Sequence, residues 1–237
     1  MHTKMRIEQI FLATLVAFLP LQSVVAQDIY PSVSPTATYI NEDGNEATAD
    51  EDNPSFYGQA PLEVTFHANP SNMFGFSPTY EWHFRMEGES SDQFVRYEED
   101  TQYTFTNAGT THVTLYVNLG TDTLQLDSIA FHVTISESKL SFPNAFSPNG
   151  DSYNEVFKAK EYQSLVEFHA YIFNRWGQKL FEWTDPSQGW DGTHNGNPVK
   201  EGVYFVLVRA KGADGREYNI RKDVNLLRGF TEGTSKE

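Results

Sequence analysis

Asn149, Asp151, Asn154 and Glu155 put four hard oxygen donors within one short run, the ligand type that calcium takes. Gly150 lies inside that run, and glycine permits φ > 0 while Asn and Asp side chains bond neighbouring backbone. The same pattern therefore makes a tight turn, and it lacks EF-hand spacing. The histidines are scattered. His67, His83, His112 and His132 each fall on the polar face of an alternating segment, and none stands in His-Glu-x-x-His or another ligand spacing. No Gly-x-Ser-x-Gly elbow and no phosphate-binding glycine loop occurs. Carboxylates abound, but a glycosidase needs two of them held across a cleft. The absence of cysteine excludes a thiol nucleophile, a thiolate zinc site and a redox role. A non-enzymatic chain is expected, with no cofactor and calcium as the one candidate ion.

Two tryptophans beside glycines remain, in Asn174-Arg175-Trp176-Gly177 and Gly189-Trp190-Asp191-Gly192. Large rings next to glycines suit the closed ends of a sandwich. Arg175, at a strand end, is placed to collect turn carbonyls or a carboxylate. The elements that would position these groups read as strands. Apolar and polar residues alternate in Leu62–Ala68, Tyr80–Phe84, Thr111–Val117 and Ile129–Ile135. Val166–Phe173 and Gly202–Val208 are strand-like too, and turn signals such as Asn69-Pro70 and Asn107-Ala108-Gly109 separate the early runs. No segment beyond the N-terminus sustains a helical period over three turns. The expected fold is all-β, two immunoglobulin-like β-sandwiches in tandem.

The boundaries come from composition. Lys4 and Arg6, an apolar run from Ile10 to Leu19, and Val24-Val25-Ala26 before Gln27 form a secretory signal peptide over residues 1–26. No later stretch is apolar enough to span a bilayer. Residues 27–138 hold 18 acidic residues against Arg85 and Arg96, whereas 139–237 hold 13 of each sign. This break predicts a domain boundary near residue 138. Residues 27–58 are expected to be an acidic segment with one early strand and then a mobile loop, and 59–138 to be the first sandwich. Neither half concentrates the basic charge that nucleic acid requires.

Residues 59–138 resemble a PKD domain, an immunoglobulin-like module. The carriers are Ala60-Pro61-Leu62-Glu63-Val64-Thr65-Phe66, Tyr80-Glu81-Trp82-His83-Phe84 and Tyr103 to Leu115. A longer central turn, Arg85-Met86-Glu87-Gly88-Glu89, stands where that family has Gly-Asp-Gly. Residues 139–228 resemble the gliding-motility-associated C-terminal domain, the type B sorting domain of type IX secretion in Bacteroidota. Its carriers are Phe142-Pro143-Asn144-Ala145-Phe146-Ser147-Pro148-Asn149-Gly150-Asp151, Ile172-Phe173-Asn174-Arg175-Trp176-Gly177, Gly189-Trp190-Asp191-Gly192, Gly202-Val203-Tyr204-Phe205 and Val224-Asn225-Leu226-Leu227-Arg228. Residues 229–237 form a polar tail outside the pattern.

The second resemblance implies Sec export, folding in the periplasm and passage across the outer membrane through the type IX machinery, with a dedicated outer-membrane protein as a further candidate partner. The destination is the cell surface or the medium, with the periplasm as the fallback. The competing function is a carbohydrate- or protein-binding module, for which Phe74, Phe76, Tyr97 and Tyr116 are candidate contacts and core or rim packing the plainer role. Asp122-Thr123-Leu124 and Asp127-Ser128-Ile129 fit a short acceptor pattern for O-glycosylation in the same bacterial group.

Overall fold

In Tyr80-Glu81-Trp82-His83-Phe84 every second side chain is apolar, so a strand there sends one row of rings inward and a polar row outward. The computed structural model, which describes residues 30–120, 126 and 129–229, builds on that alternation throughout. The expected signal segment, the tail beyond Gly229, and Asp122, Thr123, Asp127 and Ser128 of the candidate glycosylation sites lie outside the described residues.

The first half contains β1 (Ser32–Val33), β2 (Thr36–Ile40), β3 (Glu46–Ala49), β4 (Ser55–Gly58), β5 (Leu62–His67) and β6 (Pro70–Ser71). It continues with β7 (Thr79–Met86), β8 (Phe94–Arg96), β9 (Asp100–Phe105), β10 (Gly109–Asn118) and β11 (Ile129–Ile135). One sheet has the order β3-β2-β5-β9 and the other β4-β11-β10-β7-β8, with β4 parallel to β11. The two sheets bury a shared aromatic core. The Phe66 ring meets Trp82, Phe84 and Phe131 at centroid distances of 5.6, 5.8 and 5.7 Å.

The acidic segment departs from expectation. It holds β1 to β4 rather than a single strand. Its inward residues include Ala37 and Ala49, too small to register as a hydrophobic run, and the described acids other than Glu46 fall in the turns. Asn41 Oδ1 accepts the N–H groups of Asp43 and Asn45, and Asp50 Oδ1 those of Asp52 and Asn53. These caps make the turns tight, where composition alone reads as a mobile loop.

The second half contains β12 (Lys139–Ser141), β13 (Ala145–Phe146), β14 (Phe157–Lys158), β15 (Glu161–Gln163), β16 (Leu165–Phe173) and β17 (Lys179–Trp183). After these come β18 (Gly189–Trp190), β19 (Thr193–His194), β20 (Asn197–Pro198), β21 (Gly202–Gly212) and β22 (Glu217–Leu226). A five-stranded sheet runs β13-β22-β21-β16-β17, with β13 parallel to β22. Three two-stranded ladders, β12-β15, β14-β18 and β19-β20, accompany it. Ile172, Val206, Val208, Val224 and Leu226 share one core with Phe146, Phe157 and Trp190. The chain is all-β, and its sheets are sandwich-like in both halves.

The composition break falls at a buried joint. Ser138 and Ser164 are each 2% exposed. Ser138 Oγ donates to Asp214 Oδ1 at 2.7 Å and lies 2.9 Å from the Tyr218 hydroxyl. Ser164 Oγ accepts the Ala60 N–H and lies 2.7 Å from Ser136 Oγ. Ala213 belongs to the first half's core, Val166 packs against that core, and the Ala108 N–H donates to the Ala213 carbonyl. The described residues from Pro31 onward form one compact unit.

Candidate functional site

The sequence blocks of the second half converge on its last strand. Within the first block, Phe146 is buried 5.4 Å from the Trp190 ring, and Phe142 stacks on Phe157 at 5.5 Å. The Phe142 and Pro143 carbonyls and Asn144 Oδ1 all accept from the Lys222 ammonium, at 3.1, 2.8 and 2.6 Å. An ammonium has three protons to donate, and here each has an acceptor. The signal for Lys222 was present but subtle: it is the one charged residue in the inward series Ile220, Lys222, Val224, Leu226.

Asn149 to Glu155 form a turn that bonds to itself. Asn149 Oδ1 accepts the Asp151 N–H, Asp151 Oδ1 that of Tyr153, and Glu155 Oε1 that of Ser152. Asn149 Nδ2 also donates to Asp151 Oδ2 at 3.0 Å. Gly150, Ser152 and Asn154 all have positive φ, and the Ser147 N–H donates to the Asn154 carbonyl. The candidate calcium ligands are thus gathered in one place, with several of their oxygens engaged by the turn itself. Among the described residues no group of three or more His, Asp or Glu is placed to hold a metal ion.

In the third block, Trp190 is fully buried and its indole donates to the Thr193 carbonyl at 2.7 Å. Asp191 Oδ1 accepts from both the amide and the hydroxyl of Thr193. Gly189 is required by space, since a Cβ there would stand 2.3 Å from the Phe157 carbonyl oxygen. Gly192 has φ +79 and lies against Pro148 and Leu226. In the fourth block, Gly202 opens β21, and Tyr204 packs 5.0 Å from Trp190 while its hydroxyl donates to the Lys200 carbonyl. Burial raises the Tyr204 pKa above the usual phenol value, opposed by the charges of Arg228 and Arg175.

The closing Arg228 joins three of these segments. Its guanidinium donates to the carbonyls of Pro148, Gly192 and Val199 at 2.8, 2.9 and 3.4 Å. Glu201 takes the backbone N–H groups of Arg228 and Gly229. Leu226 is buried and Leu227 is exposed. Collecting turn carbonyls, the role expected of Arg175, belongs to Arg228.

The second block behaves differently. Asn174 Oδ1 accepts the N–H groups of Trp176 and Gln178, and Gly177, at φ +81, closes the turn between β16 and β17. Trp176 is 76% exposed, so it does not close the sandwich as Trp190 does. The Arg175 guanidinium lies over its ring, 4.5 Å from the centroid. Asn174 and Gly177 complete the turn without the indole, which leaves that ring outside the core.

In the first half, Phe74, Phe76 and Tyr97 are exposed loop residues, while Tyr116 packs edge-on against His83 at 4.8 Å. His83 is held between Asp92 (2.6 Å) and Glu81 (3.1 Å), beside a groove of about 460 Å³. Burial opposes its charge, but hydrogen bonds and attraction from Asp92 and Glu81 outweigh burial and hold its pKa above the ordinary imidazole value. His67 pairs with Asp100 at 2.8 Å. His112 and His132 face each other across β10 and β11.

Solved structures similar to this chain include these two. One is described as "Crystal structure of tetra-tandem repeat in extending region of large adhesion protein", with 10% identity and a TM-score of 0.29, covering 84% of this chain and 68% of that one. The other is of chicken CNTN1 FN1-FN3 domains, with 11% identity and a TM-score of 0.30, covering 74% of this chain and 63% of that one. No curated protein matches the chain. The family model that matches is the CHU_C Type IX secretion signal domain, over residues 140–222, a span that ends within β22 before Val224 to Arg228.

Proposed function

We propose that this chain is a non-enzymatic protein exported by type IX secretion, with residues 139–228 as its type B sorting domain and residues 59–138 as a PKD-like cargo. Residues 1–26 serve as the Sec signal, and the destination is the cell surface or the medium. The observation that carries the reading is the signal-domain match at 140–222. The convergence of Lys222 and Arg228 on the same blocks supports it, because a receptor reads a fold only when its turns are held still. The first half presents the exposed aromatics Phe74, Phe76 and Tyr97, as suits a structural or adhesive module. The reading requires no cofactor.

The test compares the full chain in a type IX-competent host with the same chain in a host lacking the outer-membrane translocon. Cell fractionation and protease shaving should find it outside the first and in the periplasm of the second. Equal surface exposure in both hosts would refute the assignment. Removing 230–237 should leave export unchanged. The exposed Phe74, Phe76 and Tyr97 favour a second reading, a carbohydrate-binding cargo, which a glycan-array screen of the exported protein decides.

A further inference from the structure

Phe142, Phe146, Trp190 and Tyr204 of the matched blocks are spent on the core of the second half; Trp176 is not. It stands 76% exposed on a turn that Asn174 and Gly177 complete without it. Val203 and Phe205, 49% and 48% exposed, lie on the same side of the molecule and line with it a groove of about 650 Å³. Exposed apolar side chains gathered at one groove and rimmed by polar groups have the pattern of an interaction site. Its composition agrees, since tryptophan and arginine are the residues most enriched where binding energy concentrates. The Arg175 guanidinium already lies over the Trp176 ring, so the two side chains are paired before a partner covers them.

Charge identifies the occupant. Arg175 and Lys200 are exposed at the groove, and neither is in an ion pair among the described residues. The groove's carboxylate, Glu201, is engaged by the N–H groups of Arg228 and Gly229. Two cations against one carboxylate leave the groove's lining net positive. A complementary surface offers an apolar side chain to the groove and a carboxylate to the rim.

Resting on the sorting assignment above, we propose that the Trp176 groove is the face that docks onto the type IX machinery, and that the docking segment is a protein strand or loop bearing apolar and acidic side chains. The buried blocks hold the face in shape, and this turn makes the contact.

The test uses the full chain in a type IX-competent host. Trp176→Ala should melt within about 2 °C of the parent, as exposed positions do. It should be exported at least about tenfold less and accumulate in the periplasm. Trp176→Phe should recover part of the export. A photo-crosslinking residue in place of Trp176 should form an adduct with an outer-membrane component of the machinery. Should Trp176→Ala destabilise the chain further, the exposed pair Arg175→Glu with Lys200→Glu carries the test, with the same retention expected. Folded variants exported like the parent would overturn the docking face while leaving the sorting assignment in place. Normal export of Trp176→Ala with lost glycan binding, or with lost self-association, would instead give the groove to a sugar or to a second copy. A parent chain that never left the periplasm would refute the sorting assignment itself, and the docking face with it.

Discussion

The two halves enclose their cores by different means. In the first, two sheets face each other, so backbone groups are satisfied by strand pairing and the interior needs only rings and branched chains. In the second, one sheet is accompanied by short ladders and long turns, and segments without a full ladder must find hydrogen-bond donors elsewhere. Lys222 and Arg228 supply them, reaching from the last strand and its exit to carbonyls at Phe142, Pro143, Pro148, Gly192 and Val199. The contrast accounts for two of the second half's basic residues, Lys222 and Arg228. Among the described residues the second half uses these cations as internal struts, and it holds 13 basic residues where residues 27–138 hold Arg85 and Arg96.

The sharpest way to break this contrast is at the tryptophans. Trp82 and Trp190 are both fully buried, with indoles bonded to the carbonyls of Glu98 and Thr193. Trp82→Ala and Trp190→Ala should each cost about 3–5 kcal/mol, in the range for deleting a large core ring. Chemical denaturation monitored by circular dichroism measures both. A loss below about 1 kcal/mol for Trp190 would mean that the ladders do not close a core.

Next in size are the struts. Arg228→Ala removes a charged donor from three carbonyls and should cost about 2–3 kcal/mol. Arg228→Lys should restore little of it, because a single ammonium cannot reproduce the guanidinium fork. Lys222→Met keeps the stem and loses the ammonium, with an expected loss of about 1.5–3 kcal/mol. If Arg228→Lys behaved like the parent, charge alone would be holding the turns and the fork geometry would be irrelevant.

The joint between the halves comes third. A Cβ on Gly212 would lie 2.1 Å from Ser138 Oγ and 2.4 Å from Asp214 Oδ1. Gly212→Ala should therefore displace the buried serine, at about 1–3 kcal/mol. Calorimetry of the parent should show one transition, because Ala213 and Val166 pack in the first core. In the variant the transition should split into two. Two separate transitions in the parent would show that the joint couples nothing.

Much of this was legible in the sequence, for reasons specific to each element. Leu62 to Ala68 and Ile129 to Ile135 alternate strictly, and they are strands in the structure to within a residue. Small inward residues hid the β2–β3 hairpin, where alanine gives too weak an apolar signal beside Glu42, Asp43 and Asp50. The tryptophans show the deeper limit. Trp176 and Trp190 both stand beside glycine, yet one is exposed and the other buried. The difference lies in Asn174, which ties its own turn and frees the indole, and in Phe157 and Phe146, distant in sequence, which enclose Trp190. The strut contacts of Lys222 and Arg228 are not legible in the sequence because their carbonyl partners lie 29 to 80 residues away. No local pattern encodes such pairs.

The smallest expected effect separates the halves by pH. His83 is hydrogen-bonded on both ring nitrogens, to Asp92 and to Glu81. Although burial opposes its charge, these two carboxylates raise its pKa above the ordinary value in the folded chain. A group whose pKa is raised on folding contributes stability that is full below its unfolded pKa of about 6.5. That contribution is lost as pH rises through the folded value. Because the pair is partly solvated, with the His83 side chain 24% and Asp92 31% exposed, the loss should stay below about 1 kcal/mol. Unfolding midpoints at about pH 6 and about pH 9 measure it in the parent and in His83→Gln. The difference between the two pH values should shrink in the variant, since glutamine keeps hydrogen-bonding groups but cannot become an imidazolium. An unchanged difference would place the pH sensitivity in a group other than His83.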